Sequence, residues 1–260
     1  LWGGDLYNYW IEDRHTLKQK LREFLKRRII RQLHSIVCLV EEDYQFVKEK
    51  YPTNAVYRYA FYPNPVDFIS IDQSIQHNHK NSPPQILVGN SASNTNNHFE
   101  ILDAIKKLSV KDFNIICPLS YGDREYAKSV LNYGKSLFGK SFIALIDLLP
   151  PEKYAEILSN VDVAVFAHKR QQALGNILAL LYAGKKVYVR SDISTWRFLN
   201  RLGITVFDTT ELLNGEDKGI FNFDPEVGKK NREIVRREFS EERCAQLWKA
   251  IFDEILQSKK

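Results

Sequence analysis

Short, largely apolar runs alternate with amphipathic stretches from Gln85 onward. The runs Gln85–Val88, Phe113–Cys117, Phe142–Leu145, Val161–Phe166, Lys186–Arg190 and Ile204–Phe207 are strand-length and have no regular polar face, as strands covered on both sides require. Between them, Asn97–Leu108, Arg124–Phe138, Pro151–Ser159, Asn176–Ala183 and Thr195–Leu202 carry apolar residues at helical spacing. Gly184 and Gly203 fall where helix C-caps belong, and Pro151 falls at a first helical turn. Strand–helix alternation of this kind predicts an α/β domain with a doubly wound parallel sheet over residues 85–239.

The pattern before Gln85 predicts less regular material. Thr16 and Gln19 have the capping-box spacing, so a helix is expected to begin after Thr16, with Leu17, Leu21, Phe24, Leu25 and Ile29 as its apolar stripe. Ser35–Val40 and Val56–Phe61 read as strands, with a helix over Glu41–Lys50 between them and a rigid turn at Tyr62–Pro65. Residues 1–68 thus read as the back half of another α/β domain. The Gln-, Asn-, His- and Ser-rich stretch 69–84 reads as a linker. Past Pro225 the chain is helical again. Ser240 is expected to cap a last helix (240–260) that can pack back on the N-terminal domain. The opening Leu1–Tyr7 reads as the tail of a strand plus a loop, and methionine is absent, so an N-terminal region is expected to precede residue 1.

Composition narrows the class. The chain has 260 residues, 44% hydrophobic and 27% charged, which is ordinary for a globular protein. No apolar run approaches the roughly 20 residues of a membrane-spanning helix. Cys38, Cys117 and Cys244 are few and far apart, so they predict buried thiols of a cytoplasmic protein rather than a disulfide framework or metal site. The net charge of +5 is uneven. Lys18, Lys20, Arg22, Lys26, Arg27, Arg28 and Arg31 crowd one helix, a patch that suits anionic lipid, nucleic acid or phosphorylated ligands. No nucleic-acid reader motif accompanies it, so nucleic acid is not an expected partner.

Ligands of open parallel sheets sit at the carboxyl ends of the strands. The loop Gly89-Asn90-Ser91 through Asn97-His98 offers amides and a helix start that suit phosphate, or it is a capping turn. In Pro118–Asp123, Ser120, Tyr121 and Gly122 can meet a nucleobase, or the turn only caps the next helix. The loop His168-Lys169-Arg170-Gln171-Gln172 through Gly175-Asn176 places two cations and two amides at a strand end. These suit a diphosphate, with a solvated charged loop as the plain alternative. In Asp192–Trp196, Asp192 or Ser194 is expected to cap a helix. In the opening Trp2-Gly3-Gly4-Asp5 the glycines let the backbone pass close to a ligand, and Asp5 is either a general base for a sugar hydroxyl or a cap. His77 and His79 read as exposed linker residues. The histidines show no metal-ligand spacing, so neither a metal nor a cofactor is expected.

Taken together, the segments Trp2–Tyr7 (WGGDLY), Ile86–Ser91 (ILVGNS), Asn96–Glu100 (NNHFE), Pro118–Asp123 (PLSYGD) and Arg170–Asn176 (RQQALGN) resemble the TDP-N-acetylfucosamine:lipid II N-acetylfucosaminyltransferases, the 4-α-L-fucosyltransferase family. Gly4, the AHK before Arg170, and Ala173 depart from the family pattern and leave the particular sugar open. The resemblance implies a GT-B fold of two Rossmann-like domains, acceptor-side residues in the first and a nucleotide-sugar site in the second. It implies a glycosyltransferase with a TDP-sugar and a lipid-linked or growing glycan acceptor, working peripherally on the cytoplasmic face of a bacterial membrane. The alternative is a catalytically inactive module that binds nucleotide-sugar or docks a partner.

Overall fold

A computed structural model describes residues 3–11, 14–62, 68–76, 83–110, 112–215 and 219–257. The elements before Gln85 are α1 (Gly3–Ile11), α2 (Leu17–Gln32), β1 (Ser35–Cys38), α3 (Glu41–Lys50), β2 (Val56–Tyr59) and α4 (Phe68–Gln76). Next come β3 (Gln85–Val88), α5 (His98–Lys106), β4 (Asn114–Pro118), α6 (Arg124–Phe138), β5 (Phe142–Leu145) and α7 (Pro151–Asn160). The chain continues through β6 (Val163–Val165), α8 (Leu174–Tyr182), β7 (Lys186–Val189), α9 (Ser194–Arg201), β8 (Phe207–Asp208), α10 (Thr209–Asn214), α11 (Pro225–Glu238) and α12 (Glu241–Gln257). They form two compact units: Leu1–Pro63, Arg170–Gln172 and Arg237–Lys260 in one, Asn64–Lys169 and Ala173–Arg236 in the other.

In the first unit β1 and β2 pair in parallel, Ser35 beside Val56 through Cys38 beside Tyr59. Leu6, Ile30, Ile36, Cys38, Val47, Tyr51 and Ala55 make its core. Cys244 Sγ and Trp248 Nε1 of α12 both donate to the Phe61 carbonyl at 2.9 Å. The Ser240 hydroxyl caps α12 by accepting from Arg243 N at 3.1 Å. At the start of α2 the Thr16–Gln19 capping box is formed. The opening segment is a helix from Gly3 rather than a strand tail and loop.

The expected apolar stripe of α2 is exposed. Leu17, Leu21, Phe24, Leu25 and Ile29 are each half or more exposed, Leu17 at 86%. The face that seats the helix is the neighbouring one, where Glu23 and Ile30 are buried. Glu23 can be buried because Lys26 Nζ stands 2.6 Å and Arg27 Nε 3.4 Å from its carboxylate.

The second unit is a six-stranded parallel sheet in the order β5-β4-β3-β6-β7-β8. Its core includes Ile86, Val88, Ile101, Ile105, Ile115, Val163 and Val165, from β3, β4, β6 and α5. Gly184 and Gly203 end α8 and α9 with φ of +71° and +77°. The last strand is two residues long, shifted from the expected Ile204–Phe207. The Asn231 side chain takes both Thr205 backbone groups, N at 2.9 Å and O at 2.8 Å, before they can join the ladder. The stretch read as a linker is in part α4. Phe68, Ile71 and Ile75 are helically spaced among its polar residues, Ile71 is fully buried, and the helix packs on α7 and α8. His77 and His79 lie outside the described residues.

The sheet order reverses between β3 and β6, and the loops that leave these two strands part there. Gly89 makes the first turn with φ +69°, and its N–H bonds Val165 O at 3.1 Å. A Cβ on Gly89 would stand 2.6 Å from His98 Nε2 and 2.8 Å from Asn96 Oδ1. Gly89→Ala is therefore expected to cost at least about 1–2 kcal/mol, the left-handed penalty alone, with the clash adding to it. Urea denaturation measures this, and a loss below half a kcal/mol would refute the constraint.

Candidate functional site

Three loops of the second unit meet at the carboxyl ends of β3, β4 and β6. In the loop after β3 the backbone runs through Gly89 and Asn90 to a single 3-10 turn at Asn94–Asn96. Asn97 then takes φ +53° to start α5, and its Nδ2 donates to Ala167 O at 2.6 Å, beyond the end of β6. The loop after β4 is held to it by two backbone bonds of 2.8 Å, Ala92 N to Tyr121 O and Asp123 N to Ala92 O. Gly122 is needed at this contact: a Cβ there would stand 2.3 Å from Ala92 O. Asp123 caps α6, accepting from Tyr126 N at 2.7 Å.

The sequence-predicted residues fall as follows. Asn90 is half-buried and its Nδ2 donates to Tyr121 OH at 3.0 Å, so the Tyr121 ring is 59% exposed yet fixed at its tip. Ser91 is buried and Ser120 half-buried. His168 is buried between the β3 and β6 loops, with Nε2 2.8 Å from Asn96 Oδ1 and 3.2 Å from Asn90 Oδ1. Lys169 is exposed beside it. Arg170, Gln171 and Gln172 group with the first unit, and Arg170 Nη1 donates to Gln171 O at 2.9 Å. Gly175 and Asn176 lie in the first turn of α8, whose N-cap Ala173 (φ +59°) brings no side-chain acceptor to the turn. Asn176 Nδ2 donates to Tyr154 OH at 3.0 Å, and burial pushes that phenol's pKa up.

Three expectations change. His98 is a core residue rather than a ligand-facing one: it is fully buried, with Nδ1 3.1 Å from Tyr126 OH, and it backs the Gly89 turn. Neither Asp192 nor Ser194 caps α9. The N-cap is Ile193, and Asp192 pairs with Arg190, which holds its carboxyl below the usual range. Gly3, Gly4 and Asp5 belong to α1, inside its first turn rather than in a loop, so Asp5 is not an N-cap; its side chain and Trp2 lie outside what is described. Asn96 was missed, and so was Tyr154. The signal for Asn96 was the Asn-Asn doublet: a left-handed Asn97 must be preceded by something that holds the turn.

The Rossmann half-order, the glycine turn after β3 and a helix start after β6 with no side-chain cap make an arrangement that can receive a phosphate-bearing ligand. The sequence matches the model of "4-alpha-L-fucosyltransferase glycosyl transferase group 56" over residues 1–220. The chain belongs to this glycosyltransferase family. Solved structures agree in fold. A sucrose-phosphate synthase from Thermosynechococcus elongatus is 12% identical with a TM-score of 0.72, covering 96% of this chain and 65% of that one. A glycosyltransferase from Rickettsia africae is 14% identical with a TM-score of 0.71, covering 94% and 69%. Anabaena HepE in complex with UDP and glucose is 12% identical with a TM-score of 0.67, covering 94% and 68%. The chain spans about two thirds of the length of these proteins. The group 56 chain thus has the α/β fold of GT-B glycosyltransferases. Among the described residues no cluster of three or more His, Cys, Asp or Glu could hold a metal ion, and no helix is long and apolar enough to cross a membrane. Cys38, Cys117 and Cys244 are free and buried.

Burial lowers the His98 pKa to about 4, against 6.5 ordinarily. The unfolded chain therefore binds this proton first as pH falls. The stability that neutral His98 confers is complete above pH 6.5 and is lost progressively as pH falls towards 4, up to about 3 kcal/mol. Denaturant titrations between pH 7 and 4.5 should show this slope. In His98→Gln the slope should shrink; an unchanged slope would assign it elsewhere.

Proposed function

We propose that this chain supplies the nucleotide-sugar side of a glycosyltransferase. It moves a deoxyamino sugar, N-acetylfucosamine or a related one, from a TDP-type nucleoside diphosphate to a lipid-linked or growing glycan. The observation that carries the reading is the crevice at the β3–β6 reversal, where three polar loops meet at the strand ends. HepE, solved with UDP and glucose, shares this fold. The first turn of α8 lends backbone dipoles to the diphosphate, Lys169 and Arg170 lend charge, and the Gly89–Ser91 segment, whose Gly89 and Asn90 N–H groups are held by Val165 O and Asn96 Oδ1, shapes the wall beside it. Such fixed dipoles and cations stabilise the departing anion without a metal. Tyr121 offers its exposed face to the base. Asp5 is the general base proposed for the acceptor hydroxyl. Arg170→Ala should weaken TDP or UDP binding by about 1.5–3 kcal/mol, the size of hydrogen bonds to charged groups. Calorimetric titration reads this directly, and wild-type affinity in a folded variant would take Arg170 out of the site.

A lipid-linked acceptor calls for work at the cytoplasmic face of a membrane, and α2 has the chemistry for it. Its exposed Leu17, Leu21, Phe24, Leu25 and Ile29 lie among Lys18, Lys20, Arg22, Arg28 and Arg31, and its one acidic residue, Glu23, is buried. Anionic headgroups attract such a helix and the apolar stripe enters the interface. Sedimentation with phosphatidylglycerol-containing vesicles should pull the protein down in a salt-sensitive manner, less so for Leu21→Asp and Leu25→Asp. Equal, salt-independent recovery with neutral vesicles would count against it.

A further inference from the structure

The crevice has a floor that no exposed residue provides. Asn96 is fully buried, and its one side chain spans the gap between the β3 and β6 loops. Its Oδ1 accepts from Asn90 N at 2.9 Å. That N–H can only donate, which fixes the amide's orientation. The Nδ2 end then faces Ser91 O at 3.0 Å, Ser93 O at 3.1 Å and Ser91 Oγ at 3.2 Å, all able to accept. With Oδ1 an acceptor, His168 Nε2 at 2.8 Å must carry a proton and donate. Asn90 Oδ1, 3.2 Å away, accepts from the same nitrogen, while Asn90 Nδ2 is spent on Tyr121 OH at 3.0 Å. One buried amide thus sets the path of the loop after β3, the tautomer of His168 after β6 and, through Asn90, the position of the Tyr121 ring after β4.

The geometry points to Asn96 as the positioning residue of the nucleotide-sugar site: it acts through His168 and Asn90, holding the diphosphate loop and the exposed tyrosine in their binding geometry. This rests on the reading of the crevice as that site. Neutral amide chemistry is required at this place. A hydrophobic residue would take away the acceptor that Asn90 N uses and the shorter of the two His168 Nε2 contacts, and a carboxylate would face the Ser91 and Ser93 carbonyls and put a negative charge under the phosphate.

The test is a double-mutant cycle in the whole chain, with TDP and UDP as calorimetric probes. Asn96→Ala and His168→Ala should each weaken binding about tenfold, and the double variant should be little worse than either, because both break one network. A loop that is merely structural would lower melting temperature without this coupling in affinity. Wild-type protein gives an independent readout: long-range ¹H–¹⁵N spectra of the imidazole, with the His168 signal identified by its loss in His168→Gln. The Nε2-protonated tautomer is expected, and the Nδ1-protonated one or an averaging ring would overturn the proposal even if Asn96→Ala fails to fold. If Arg170→Ala weakens TDP while Asn96→Ala binds as wild type, the positioning role falls and the site stands. If none of these variants changes affinity for either diphosphate, the site itself falls.

Discussion

Where β3 and β6 lie side by side, their connections leave in opposite directions, and no covalent chain bridges the gap between them. Beyond the backbone bond from Gly89 N to Val165 O, closing that gap is left to side chains. Asn97 reaches across to Ala167 O and Asn96 to His168, both well inside hydrogen-bond distance. Because Asn96 and His168 are buried, these bonds are obligatory: an unpaired polar group there costs its full desolvation. The Gly89 turn, the pairing of Ala92 with the Tyr121–Asp123 loop and the start of α5 all hang on this closure. The same constraint that makes a crevice in the sheet makes its walls rigid.

The second unit was legible because its signals are local and repeated. Apolar runs between amphipathic stretches dictate a parallel sheet whatever the details, and Pro151, Gly184 and Gly203 punctuate the helices where backbone sterics require. The strand-end loops were legible for the same reason, since the sheet topology alone says which loops can meet. What failed depended on partners remote in sequence. The Asn231 side chain that shortens β8 is 26 positions from Thr205. The α4 helix hides three apolar residues in a polar stretch, and α7 and α8, far along the chain, give them something to pack on.

The α2 stripe and His98 show a subtler limit. Periodicity says which residues share a face; it does not say what that face meets. Leu17, Leu21 and Leu25 share a face as expected, but the helix is seated by Glu23 and Ile30, with the burial of Glu23 offset by its ion pairs to Lys26 and Arg27. His98 looked like a ligand group because it follows a glycine- and asparagine-rich loop. Its place one residue after the left-handed Asn97 turns it inward, under Gly89, where burial keeps it neutral. A polar residue at a loop's end can be a wall of the site or its foundation, and composition does not distinguish them.

The distribution of charge around the crevice follows from this division. The buried layer is made of neutral amides, hydroxyls and an imidazole held by them, which orient without demanding a counter-charge. Lys169, the cation of the second unit's loop, is exposed. A cation in the buried layer would need a carboxylate partner whether or not ligand were bound, and that carboxylate would repel a diphosphate. Dipoles beneath and an exposed charge above avoid the conflict. In the proposed site the buried layer fixes geometry and the exposed cation supplies charge, so the two can be altered independently by substitution.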